Sequence, residues 1–252
     1  MSADQYLQGI LIREAVNASA GSPVLGVQTT LMPILQGWAG VMLRNVHPSG
    51  SFAKGTGNRS GTDIDLFVSL SNNVTETLQE IHNKLLDTLQ SKGYSPRRQD
   101  VSINIRVNGY SVDVVPGKHQ GGVGEDHSLY RRRANTWTKT NVTTHINTVR
   151  SGGRTSEIRI VKLWRHQKGL DFPSFYLELA VMEALSGARG SLSQNVWRAF
   201  EYLQDTFPTA RFVDPANTAN IISDDLSATD RAKIKNAAAQ ALAAANWNQI
   251  VI

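Results

Sequence analysis

Leu31, Leu35, Trp38 and Met42 recur at helical spacing inside a stretch, Ala15 to Leu43, that carries no charge. This face predicts a helix buried against the rest of the protein. Asn17, Gln28, Thr29, Thr30, Gln36, Pro23, Pro33 and several glycines exclude a bilayer span, because they bring too many polar groups and breakers into it. A loop-rich block follows, with glycines at 50, 55, 57 and 61. From Asp63 to Ser69 the period changes to two. Ile64, Leu66 and Val68 alternate with Asp63, Asp65 and Phe67, and the segment reads as a strand. Leu78, Ile81, Leu85 and Leu89 restore helical spacing, and Gly93 is the expected stop.

The clearest local signal is a hairpin. Val101, Ile103, Ile105 and Val107 alternate with Ser102, Asn104 and Arg106, and Asn108-Gly109 follows. That dipeptide suits a two-residue type I′ turn, and Tyr110, Val112 and Val114 resume the alternation after it. This turn sets a register in which Asp113 stands opposite Asn104 on the less apolar face. From about Ser156 the pattern is helical. Ile158, Val161, Leu163 and Trp164 mark one helix, and Pro173 opens a second through Leu177, Val181 and Leu185. Further helices are expected over 192–203 and 229–246. The fold class is mixed α/β (α+β), with a mixed-sheet half, residues 1–150, followed by a helical half, residues 151–252.

Composition adds little to the fold but narrows the chemistry. The chain has 252 residues, 40% of them apolar, which suffices for a real core. The absence of cysteine removes disulfide scaffolds, thiolate metal sites and a Cys nucleophile. No signal peptide or membrane span is read, so a cytoplasmic location is expected. The formal charge of +5 suits a polyanionic partner such as nucleoside triphosphates, with nucleic acid possible but not required.

Three features converge on one chemistry. Gly50-Ser51 opens what reads as a flexible loop containing Lys54, Gly55 and Thr56. Asp63 and Asp65 lie two apart on a strand, so their carboxylates share one face, roughly 6–7 Å apart at the backbone. Asp113 lies on a separate strand with its side chain on the polar side. Three such carboxylates are what two divalent cations need, and hard oxygen ligands suit Mg²⁺ or Mn²⁺. The glycines let backbone N–H groups approach phosphate oxygens, and the Ser51 hydroxyl adds a donor.

The string GSFAKGTGNRSGTDIDLFV resembles the signature of DNA-polymerase-β-type nucleotidyltransferases, Gly-Ser followed by a spacer and Asp-x-Asp. Its GSxxKGT form and the later VDVVPG resemble the branch holding oligoadenylate synthases, cyclic GMP–AMP synthase, bacterial CD-NTases and archaeal CCA-adding enzymes. EIRIVKLWRHQKG, PSFYLELAV, WTKTNVTTHINTV and FVDPANTANI also look like this group, so the resemblance runs from about residue 46 to the C-terminus. It implies a two-lobed fold with the active site in the cleft between the lobes. It makes Asp63, Asp65 and Asp113 a metal-binding catalytic triad for two Mg²⁺ or Mn²⁺ ions. Gly50 and Ser51 would hold the triphosphate, with Lys54 and Thr56 as further candidates. Lys162 would place a charge on its β- and γ-phosphates, Ser174 would add a hydroxyl, and Phe175 would stack on the base. Relatives often have Tyr where Phe175 stands. His145 matches a histidine near the nucleotide in the CCA-adding enzymes, although the proline usual before it is absent.

The reaction implied is attack of a ribose hydroxyl on the α-phosphate of ATP or another nucleoside triphosphate, releasing pyrophosphate. The first reading is a CD-NTase that makes a cyclic or short oligonucleotide second messenger for antiphage signalling (CBASS), acting on a downstream effector through its product. The alternative is a template-independent transferase acting on RNA or another acceptor.

Overall fold

In the computed structural model every residue except Met1, Ala18, Ala20 and Thr62 is described. The chain order is α1 (Ala3–Arg13), α2 (Pro23–Ala39), β1 (Leu43–Pro48), α3 (Gly50–Lys54), β2 (Ile64–Leu70), α4 (Leu78–Ser91), β3 (Arg97–Arg98), β4 (Ile103–Val107), β5 (Tyr110–His119), β6 (His127–Arg131), β7 (Thr136–Thr140), α5 (Val142–Ser151), α6 (Thr155–Gln167), α7 (Ser174–Ala184), α8 (Leu192–Asp205) and α9 (Ala228–Leu242). The mixed α/β class expected from the sequence is what the chain adopts. No helix among the described residues is long and apolar enough to cross a membrane.

Two compact units arise, and they divide the chain elsewhere than at residue 150. One comprises Asn17–Ala53 and Thr62–Ile146; the other comprises Met1–Val16, Lys54–Gly61 and Asn147–Ile252. The sheet unit has strand order β1-β2-β5-β4-β3, with β6 pairing β5 and β7 pairing β6. β2 and β5 are parallel and the other pairs antiparallel, so the sheet is mixed. Asn108 and Gly109 have φ of 52° and 83°, and Val107 faces Tyr110 across them, which is the expected I′ hairpin. Its apolar stripe of Ile103, Ile105, Val112 and Val114 is buried with Leu31 and Leu35 of α2 and Leu85 and Leu89 of α4. Trp38 and Met42 pack on the same cluster.

The sequence reading needs corrections in this unit. Gly50 to Lys54 is a short helix, α3, and not a flexible loop: the Ala53 N–H donates to Ser49 O at 3.2 Å. Residues 43–48 form β1, which the periodicity misses because only Val46 along it is buried. Asp63 lies just ahead of β2, which starts at Ile64.

The second unit is helical. α1 buries Leu7, Ile10 and Leu11 in the cluster formed by Ile158, Val161 and Trp164 of α6, Tyr176 and Leu177 of α7, and Val196 and Phe200 of α8. Capping is explicit where it occurs, as at Ser2, which exchanges hydrogen bonds with Gln5.

Candidate active site

In the sheet unit, β2 and β5 bring the carboxylates together by register. Asp65 is paired with Asp113, and Asp113 with Asn104 on its other side, as the hairpin predicts. Residues level with one another across a sheet share a face, so Asp65, Asp113 and Asn104 project together, away from the apolar stripe. Asn104 Nδ2 donates to Asp113 Oδ1 at 2.8 Å, and Gln99 Nε2 to the same oxygen at 3.1 Å. Burial raises the Asp113 pKa above the usual carboxylate value; the Asn104 hydrogen bond opposes this, and the charge of Asp63 adds to it. Asp63 itself is exposed.

Gly50 belongs to this arrangement for a steric reason. It has φ +54°, and a Cβ built on it would fall onto the Asp65 carboxylate. Ser49 N–H donates to Asp65 O at 2.8 Å and anchors the start of α3 beside β2. Gly50→Ala is therefore expected to cost about 1–2 kcal/mol from the left-handed backbone alone. It should also displace Asp65, so turnover should fall by more than the loss of folded protein explains. Urea unfolding and an activity assay on the same preparation would check this.

Among the described residues no three His, Asp or Glu side chains converge as a preformed metal cage. The donor set still fits Mg²⁺ or Mn²⁺. Such ions keep several waters and take one or two carboxylates plus substrate phosphates, and the repulsion of Asp63 on Asp113 is what a bound cation would relieve.

In the helical unit Lys162 sits on the buried side of α6, only 5% exposed. Its Nζ reaches Glu178 Oε1 at 2.5 Å and Thr56 Oγ1 at 3.0 Å. Glu178, fully buried on α7, also accepts from Lys54 Nζ at 2.8 Å and from Thr56 Oγ1 at 2.6 Å. Two ammonium groups and a hydroxyl thus close on one carboxylate. Burial pulls the Lys162 pKa below the ordinary lysine value, against the attraction of Glu178. For Glu178, burial alone would raise the pKa, but Lys162 and Lys54 overcome it and hold it low. Lys54 Nζ also lies 4.6 Å over the centre of the Phe175 ring.

Glu178 was not among the sequence candidates. Its signal was a carboxylate flanked by Leu177 and Leu179 inside the apolar run from Phe175 to Met182, four residues after Ser174 and so on the same face. Ser174 opens α7 and accepts from Arg165 Nη1 at 3.0 Å. Phe175 is half-buried, whereas Tyr176 is fully buried against Phe172, Phe207 and Phe212. His145 lies half-buried on α5 in the sheet unit.

No family model matches the chain. In sequence it is 26% identical over 234 residues to the cyclic AMP-AMP-AMP synthase of Escherichia coli strain MS 115-1, covering 83% of this chain and 73% of the relative. The chain is similar in sequence to a cyclic oligonucleotide synthase and has the fold of the CD-NTases. It is similar in structure to E. coli MS115-1 CdnC with ATP, at a TM-score of 0.76 and 21% identity over 95% of this chain and 90% of the other. The Bradyrhizobium diazoefficiens CD-NTase CdnG in complex with GTP superposes at a TM-score of 0.78 with 13% identity, over 98% and 92%. Nucleotidyl transfer needs a group that polarises a hydroxyl and groups that hold a triphosphate.

Proposed function

We propose that this protein is a nucleotidyltransferase that joins ATP, alone or with other ribonucleoside triphosphates, into a cyclic or short oligonucleotide second messenger that acts on a downstream effector in antiphage defence. The observation that carries the reading is the pairing of Asp65 with Asp113 on one sheet face beside Gly50. The likeness to the cyclic AMP-AMP-AMP synthase supports the product class.

Asp113 is the group that takes the hydroxyl proton. Both amides donate to its Oδ1, and Oδ2 is the oxygen we assign to the proton. Its raised pKa brings it closer to the operating pH of a general base. The ribose oxygen forms a bond to the α-phosphorus, the bond to pyrophosphate breaks, and the proton passes to Asp113. Two Mg²⁺ or Mn²⁺ ions held by Asp63, Asp65 and Asp113 would supply the charge neutralisation that phosphoryl transfer needs. Gly50 and Ser51 present backbone and hydroxyl donors to the triphosphate. Lys162 and Lys54 place positive charge on its β- and γ-phosphates, Thr56 and Ser174 support them, and Phe175 stacks on the base. His145 is kept as a secondary contact to nucleotide.

Pure protein with all four ribonucleoside triphosphates and Mg²⁺ or Mn²⁺ should yield phosphatase-resistant products of two to four nucleotides, without an RNA primer, by mass spectrometry. Products that appear only with an RNA acceptor and grow as a 3′ tail would overturn the reading. In the same assay Phe175→Ala should lower the yield, while Tyr176→Phe should leave it unchanged. The Tyr176 hydroxyl is buried without a hydrogen-bond partner, so removing it breaks no contact.

A further inference from the structure

The row that carries Asp65 and Asp113 continues past Asn104. β3 pairs with β4 so that Arg97 stands opposite Asn104. Arg97 therefore shares the carboxylate face, two strands from Asp113 and about 10 Å away at the backbone. Arg106 lies two residues beyond Asn104 on β4, on the same face, and is paired with Ser111. Asn104 Nδ2 also donates to Ser111 Oγ at 2.9 Å, which places these polar side chains together. Arg98, between the two faces in sequence, is paired with Ile103 and turns the other way to donate to Asn83 of α4.

Arg97 and Arg106 are both exposed. The acidic residue near Arg97 in sequence, Asp100, is already engaged. Its Oδ1 accepts from the Arg133 N–H at 2.8 Å, and its Oδ2 lies 3.6 Å from the Arg131 guanidinium. The face thus runs in order from Gly50, beside Asp65, through Asp113 and Asn104 to a pair of guanidinium groups. Gly50 and Ser51 stand on one side of the carboxylates and the arginines on the other.

We propose that Arg97 and Arg106 bind the 5′-phosphate groups of the acceptor nucleotide and so set its orientation over Asp113. This rests on the transferase reading, in which Asp113 takes the proton of the acceptor hydroxyl. An acceptor whose ribose lies over Asp113 and Asn104 extends its phosphate end along the strand order toward the arginines. The phosphates of the acceptor lie at the end away from the cations proposed at the carboxylates, so they are stabilised where they meet other positive charge. Guanidinium forks suit phosphate oxygens in geometry as well as in charge.

The test separates acceptor from donor. The four 2′,3′-dideoxyribonucleoside triphosphates serve as donors, because they have no ribose hydroxyl to accept. The four ribonucleosides, each free and as the 5′-triphosphate, serve as acceptors, and single-addition products are measured. The wild type should prefer triphosphorylated acceptors by about ten- to a hundredfold, and the Arg97→Ala/Arg106→Ala variant should lose that preference with donor KM unchanged. Equal use of both acceptor forms by the wild type, or an intact preference in the variant, overturns the inference while transfer itself stands. If no acceptor is extended, the transferase reading fails, and calorimetry then decides the arginine site. Non-transferable α,β-methylene nucleotides should bind with two per chain in wild type and one in the double variant. One per chain in both overturns it.

Discussion

Asp65→Asn and Asp113→Asn should each reduce nucleotidyl transfer by about a hundred- to a thousandfold or more while the protein remains folded. Each exchange keeps the side-chain shape and removes a negative charge from the face on which the proposed function places metal and substrate. At Asp113 the remaining amide oxygen can still accept from Asn104 and Gln99, both of which bond a single oxygen in the native protein. The stability effect has a definite sign. Because the folded-state pKa of Asp113 is raised, the native protein holds this proton over a range where the unfolded chain has lost it. Stability therefore falls as pH rises from the ordinary carboxylate value through the folded-state value. Asp113→Asn removes that loss, so its melting temperature should exceed that of wild type at neutral pH, with the gap closing on acidification. Near-native turnover in either variant would sink the catalytic assignment.

Glu178→Gln should destabilise the protein by about 3–5 kcal/mol, measured by urea unfolding. The substitution leaves Lys162 and Lys54, 5% and 8% exposed, without the carboxylate that joins them. Two buried ammonium groups then repel with no compensating charge. Here too the sign with pH is fixed. Burial depresses the Lys162 pKa, and without Glu178 the depression deepens. The unfolded chain then holds a proton that the folded variant releases, so the variant regains stability as pH rises toward the ordinary lysine value. In wild type the low pKa of Glu178 acts at the other end: its stabilisation is present above the ordinary glutamate value and is lost as pH falls below it. A loss under about 1 kcal/mol, the range of exposed ion pairs, would show that the cluster is solvated.

What could be read from the sequence follows from how local each signal is. The hairpin was legible to its register, because Asn108-Gly109 dictates the turn and the turn dictates that Asp113 faces Asn104. The neighbour on the other side, Asp65, was legible as a candidate but not as a partner, since a parallel pairing leaves no turn between its strands. β1 was hidden because an edge strand with a single buried residue has no alternation to detect. The β6–β7 hairpin turns through Asn135 at φ +46°, a signal weaker than Asn-Gly. Most hidden was Glu178, whose partners Lys54 and Thr56 lie more than a hundred residues earlier. The ring contacts of the histidines are equally non-local: His47 and His127 pack on Phe67, and His119 lies against His127.

The assembly of the helical unit from three separated stretches has a consequence for biosynthesis. α1 leaves the ribosome well before the helices that cover Leu7, Ile10 and Leu11, which start about 140 residues later, at α6. At ~5–20 residues per second, α1 waits on the order of 7–30 s with its apolar side uncovered. Its final ties come later still: Asp4 accepts from the Ser193 N–H, and the Tyr6 hydroxyl donates to Val251 O. For that interval the nascent chain presents an adhesive helix. Slowing translation should lengthen the exposure, and chaperones that bind short apolar segments should be found on this helix while it waits.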